Sequence, residues 1–179
     1  SSCKAAENHC RLYYKSLRIL TFGRMGKITM TTYKTIHAYV DGAFNQWKPN
    51  LYAGAYVLVD PEENQIIEAD SGCGSVAARM RNVAGELSAA MRAMKAGIKI
   101  ADKIVIHYDY TGIEKWVTRK WNCYKDETKA YRKFMLRYKE HGKIEGFVKV
   151  KAHSGNKFNE TADFMAKKAL REKIQWKES

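Results

Sequence analysis

From residue 35 onward, apolar and polar positions fall into a regular order. Thr35-Ile36-His37-Ala38-Tyr39-Val40 reads as a strand that stops at Asp41-Gly42. Tyr52 to Val59 and Gln65 to Ala69 are β-rich runs joined by Asp60-Pro61-Glu62-Glu63-Asn64, turn chemistry for a hairpin, so the region opens with three antiparallel strands. After Gly72 and Gly74, the positions Val83, Leu87, Ala90, Met91, Met94 and Ile98 trace the apolar stripe of an amphipathic helix. The pattern then alternates. Lys103 to Tyr108 is a strand ending in Asp109, helices follow over roughly 111–120 and 126–140, Phe147 to Ala152 is the last strand, and Asn159 to Lys173 the last helix. This β-β-β-α-β-α-β-α order defines an α/β domain over residues 35–175. Its mixed sheet starts antiparallel and continues with two parallel strands. No internal repeat or low-complexity linker interrupts it.

Residues 1–34 differ. They carry Lys4, Arg11, Lys15, Arg18, Arg24, Lys27 and Lys34 against Glu7 alone, and only Leu12, Tyr13, Tyr14, Leu17, Ile19 and Leu20 suggest one short amphipathic helix. Three readings of this basic arm stay open: a nucleic-acid-binding tail, a targeting segment, or sequence upstream of a start at Met30. No uninterrupted apolar run followed by a small-residue cleavage site marks a secretory signal.

Charge narrows the partner. Lys and Arg number 32 against 19 Asp and Glu, a net +13, which points to a polyanion such as nucleic acid. The 45% hydrophobic content supports a packed core and excludes a disordered chain, and no apolar run of about 18 residues is present to span a membrane. Cys3, Cys10, Cys73 and Cys123 form no CxxC pair, so the expectation is a reducing, cytoplasmic setting without a cysteine zinc site.

Four acids lie where chemistry concentrates in such a fold. Asp41 and Asp109 follow predicted strands, at the edge where open α/β sheets bind ligands. Glu86 sits early in the first long helix, directly before Leu87 of its buried stripe, and so points toward the sheet. Asp163 lies one turn inside the last helix if Asn159 is its N-cap. Four carboxylates in one cleft repel one another and call for divalent cations. Ligation by oxygen alone favours magnesium, with manganese as a substitute, over zinc. Taken singly, each acid is equally well explained as turn chemistry or as a helix-dipole partner.

The segments Tyr39-Val40-Asp41-Gly42, Arg81-Asn82-Val83-Ala84-Gly85-Glu86-Leu87, His107-Tyr108-Asp109-Tyr110-Thr111-Gly112-Ile113 and Val150-Lys151-Ala152-His153-Ser154-Gly155-Asn156-Lys157-Phe158-Asn159-Glu160-Thr161-Ala162-Asp163 resemble the four motifs of type 1 ribonuclease H, in the family's order. The second resembles the bacterial branch whose longer members carry a viroplasmin-like module. The resemblance implies a five-stranded sheet with helices on both faces, and hydrolysis of the RNA strand of RNA/DNA hybrids with two magnesium ions, leaving 5′-phosphate and 3′-hydroxyl ends. By motif position it implies that Asp41, Glu86, Asp109 and Asp163 are the metal ligands, with Asp41 bridging, and that His153 assists proton transfer or product release.

For substrate contacts, Asn82 matches the first asparagine of the family's pair, while Val83 stands at the second position. Asn45 falls in the corresponding loop at a different offset, and Asn159 belongs to the last motif. Nine Lys or Arg against four acids over residues 114–140, with Trp116 and Trp121 among them, suit phosphate binding and stacking, so Trp116 and Lys120 join the candidates. A solvated helix face with tryptophans in the core is the competing explanation. The expected state is a monomer without an obligate protein partner or a membrane. The rival functions are a non-catalytic hybrid-binding protein of this fold, and a transposase, integrase or junction resolvase.

Overall fold

Alternation along the first strand separates two cores. In the computed structural model, which describes residues 33–45, 51–75, 80–151 and 154–178, β1 (Tyr33–Phe44) directs Ile36, Ala38 and Val40 to one face of the sheet and Tyr39 and Ala43 to the other. β2 (Tyr52–Asp60) and β3 (Gln65–Gly74) extend the sheet antiparallel, with His37 opposite Val59 and Phe44 opposite Tyr52. β4 (Ala101–Tyr108) joins the other side of β1 in parallel, and β5 (Ile144–Lys149) joins β4. The order β3-β2-β1-β4-β5 is the expected three antiparallel strands followed by two parallel ones. The predicted arm over residues 1–34 lies almost wholly outside the described residues.

Helices cover both faces. On one, α1 (Asn82–Gly97) packs Leu87, Ala90 and Met94 against Ile36, Ala38, Val40, Leu58, Ile104 and Ile106. The short α2 (Gly112–Val117) and α3 (Asp126–Glu140) complete this core with Ile113, Trp116, Tyr131 and Met135. On the other face, α4 (Lys157–Glu178) lays Phe158, Ala162, Ala166 and Leu170, one helical turn apart, onto Tyr39, Val57 and Val59 and onto Ala43, Ala53 and Ala55. β2 is covered from both sides. This is why Ala53 to Val59 form a continuous buried run rather than an alternating one.

Contact between α1 and the sheet is backbone on backbone. A Cβ on Gly85 would stand 2.0 Å from the Ala53 carbonyl oxygen, and one on Gly54 would stand 2.3 Å from the Gly85 carbonyl oxygen. Only glycine permits this approach.

Four element boundaries differ from the sequence expectation. β1 does not stop at Asp41, because Gly42 and Ala43 continue the ladder opposite Gly54 and Ala53. The helix expected over 111–120 ends at Val117, where Arg119 enters the left-handed region at φ 63°. The last strand runs over 144–149 rather than 147–152, since Ile144 already pairs with Ile104. Finally, α4 begins at Lys157, so Asn159 is not its N-cap. Asn156 fills that role, its Oδ1 accepting hydrogen bonds from the backbone N–H of Phe158 at 3.2 Å and of Asn159 at 3.1 Å.

Candidate active site

Asp41 shares its face of β1 with Tyr39 and Ala43 and therefore faces α4, yet it sits beside Gly42, which has no side chain to block the opposite wall. A Cβ at residue 42 would lie 2.5 Å from the Glu86 backbone nitrogen. Because α1 rides this close, Glu86, one turn into the helix, reaches the strand from the far face. Asp109 follows directly on β4, the strand that pairs with β1. Carboxylate oxygens of Asp41, Glu86 and Asp109 all come within 4.8 Å of one another.

Asp163 enters from α4 and lines the same cavity of roughly 340 Å³, together with Gly42, Asn82, Tyr110, Asn159 and Glu160. The Asn156 cap fixes the start of this helix, and Glu160 turns back to accept from the Gly155 N–H at 3.0 Å. The 152–153 segment, and with it His153, lies outside the described residues.

The electrostatics of this cluster are those of a site built for positive charge. Asp41 accepts from its neighbour's N–H (Gly42 N to Oδ1, 2.7 Å), but burial, followed by the charges of Asp109 and Asp163, raises its pKa from 3.8 to about 7. Glu86 is pushed well above the carboxylate range, first by burial and then by Asp41 and Asp109. It is only 2% exposed and its Oε2 has no hydrogen-bond partner among the described residues. The Asn159 Oδ1, 3% exposed, is likewise without one. Buried oxygens left unpaired are costly, and a hard cation satisfies them. The donors among the described residues are all carboxylate or amide oxygens, a set that fits magnesium or manganese.

Lys167, which the sequence reading passed over, places its ammonium 2.7 Å from Asp163 Oδ2. The four-residue spacing on α4 carried that signal.

The remaining candidates separate. Asn82 lines the carboxylate cavity and also an adjoining groove, and Asn45 lines the groove alone. Trp116 is a core residue at 8% exposure, packed against Tyr110 and edge-on to Trp121, the packing role that was the competing explanation for it. Trp121, beyond the end of α2, is the exposed ring, and the Lys115 ammonium lies over it. Lys120 is engaged with Glu114, at 3.2 Å. His37 shares a 3.1 Å hydrogen bond with His107, which stacks on Tyr39.

The α/β sheet with an acidic cluster at its rim is compatible with a metal-dependent enzyme. A family model for RNase H matches residues 33–171, and the chain belongs to that family and is a ribonuclease H. Among solved structures, ribonuclease H1 of the archaeon Halobacterium salinarum NRC-1 is 23% identical, covers 77% of this chain and 98% of its own, and superposes with a TM-score of 0.61. LC11-RNase H1 in complex with an RNA/DNA hybrid is 17% identical, with coverage of 78% and 99% and a TM-score of 0.64. The N-terminal RNase H domain of rv2228c from Mycobacterium tuberculosis gives 12%, 79%, 97% and 0.64. No curated protein matches the chain in sequence. Among the described residues, no helix is long and apolar enough to cross a membrane.

Proposed function

We propose that this chain hydrolyses the RNA strand of RNA/DNA hybrids with two magnesium ions, leaving 5′-phosphate and 3′-hydroxyl ends. The observation that carries the reading is the meeting of Asp41, Glu86 and Asp109 within 4.8 Å, in a cavity that Asp163 also lines. A pair of cations held by these four residues supplies Lewis acidity, lowering the pKa of the attacking water and easing charge onto the leaving 3′ oxygen.

The protein's own residues do the rest. Asp41, central in the sheet and flanked by acids from three other elements, would be the ligand shared by both ions when they are bound. Glu86 is held rigid by burial in α1, and Asp109 and Asp163 close the ring. Asn82, at the mouth of the same cavity, is positioned to meet sugar or base edges in the shallow groove of a hybrid, where 2′-hydroxyls mark the RNA strand. The basic surface supplies attraction to the phosphates. A reducing, cytoplasmic setting accords with Cys73 and Cys123, which are both free thiols. A monomer is sufficient for this chemistry, since every acid comes from one chain.

The test is a substrate panel of end-labelled RNA/DNA hybrid, double-stranded DNA, double-stranded RNA and a four-way junction, each with magnesium or with chelator. The expected result is magnesium-dependent cutting of the hybrid's RNA strand alone, with products that a ligase rejoins only after their 5′-phosphate ends meet a 3′-hydroxyl. Cutting of DNA or of the junction would overturn the reading, as would tight hybrid binding without turnover.

A further inference from the structure

The carboxylate cavity does not end at the four acids. It shares Gly42 and Asn82 with a second groove of roughly 730 Å³ that runs between the end of β1 and the outer half of α4. This groove has the opposite character. Its lining includes Arg81, Lys167 and Arg171 and no carboxylate, over apolar surface from Leu170 and Ile174. Lys167 and Arg171 are four residues apart on α4 and so present their charges along one face of the helix. Arg81 faces them from the entrance to α1, held at a backbone φ of 56°.

We propose that this groove binds the sugar–phosphate backbone of the substrate beyond the cleaved bond, with Arg171 and Arg81 on phosphates and Leu170 and Ile174 against sugars. The inference rests on the hybrid-cutting reading and extends it along α4, a helix that the sequence pattern nominated only for Asp163 and Asn159. Charge complementarity and continuity with the cavity select the occupant: a polyanion threaded past the acids emerges directly between three cations. Lys167 stands at the junction. With Asp163 as its partner at 2.7 Å, it is the groove cation that touches the acidic cluster, and a ligand in the groove offers it a second anion. Contacts of this kind set position and affinity and carry no sequence information. The groove therefore strengthens binding without choosing among sequences.

The experiment measures hybrid affinity by fluorescence anisotropy across a range of potassium chloride concentrations. It uses the full chain carrying Asp109→Asn so that nothing is cut, with Arg171→Ala added, or Lys99→Ala as a control at the opposite end of the sheet. The expected result for Arg171→Ala is a Kd about fivefold weaker near physiological salt and a slope of log K against log salt flatter by about 0.7–0.9. Lys99→Ala should match its parent. In the chain that retains Asp109, Arg171→Ala should raise KM and leave kcat within twofold, and a hybrid shortened until it fills only the acidic cavity should lose its sensitivity to the substitution. An unchanged Kd and slope in a variant that cuts hybrid normally would overturn the groove alone. A chain that binds hybrid through Arg171 yet never cuts it would overturn the proposed activity and leave the groove standing.

Discussion

Raising the pH in the absence of metal should unfold this protein more easily, and Asp41 is the reason. Its carboxyl titrates near 3.8 when exposed and at about 7 in the fold, through burial and then the charges of Asp109 and Asp163. Between those values the native state holds a proton that the unfolded chain has released, so stability falls as pH rises through the window. At about 1.36 kcal/mol per pKa unit, the full window is worth about 4 kcal/mol, and the portion between pH 5 and pH 8 about 3 kcal/mol. Asp41→Asn removes the ionisation. Urea unfolding of the two proteins in chelator should find the variant's lead growing by about 3 kcal/mol between pH 5 and pH 8. Taking the difference between the two proteins cancels the shared titrating groups that lie outside the acidic cluster. Magnesium should then narrow the gap at pH 8: at ten times its Kd, a cation that binds only the native wild-type site stabilises it by about 1.4 kcal/mol. A gap that stays constant with pH, or that favours the wild type in chelator at pH 8, would refute the argument that the cluster is built at the expense of the metal-free fold.

Two further outcomes follow from the packing. Gly85→Ala sets a Cβ 2.0 Å from the Ala53 carbonyl oxygen and 2.9 Å from the Gly42 Cα, so α1 must lift. Urea unfolding should show a loss of about 2–3 kcal/mol or more, and turnover should fall with it because Glu86 moves off the rim. His107, held near a pKa of about 4 by burial and then by His37, should stay neutral at pH 6, which a histidine NMR titration reads directly. Because its folded value lies below the unfolded 6.5, its contribution to stability is present above pH 6.5 and lost as pH falls toward 4.

Much of this architecture is legible in the chain because it is local. Alternation in Ile36 to Val40 and the 3.6-residue stripe of α1 are set by which side chains meet water. The order of elements then restricts the sheet to few topologies. The four acids could be named together because each stands beside a strand end or helix start. What the sequence could not show depends on partners far along the chain. Whether β1 stops at Asp41 depends on Gly54 and Ala53 arriving to pair with Gly42 and Ala43. Asn156 and Asn159 have equal capping chemistry, and the choice falls to Asn156 because Phe158 must already be helical to bury itself against Tyr39. Which of Trp116 and Trp121 is buried depends on the backbone turn at Arg119, which leaves Trp116 in the core and Trp121 exposed. The His37–His107 pair joins neighbouring parallel strands, a register that no spacing in the sequence encodes.

The central claim is that the acids gathered at the head of β1 act by holding metal on the substrate. Single-turnover cutting of an RNA/DNA hybrid by Asp109→Asn, with hybrid affinity measured on the same samples, tests it most directly. The account predicts loss of nearly all magnesium-dependent cutting, by about a thousandfold or more, with binding retained. Cutting that persists within about tenfold of wild type in that variant, or that proceeds equally in chelator, would contradict it.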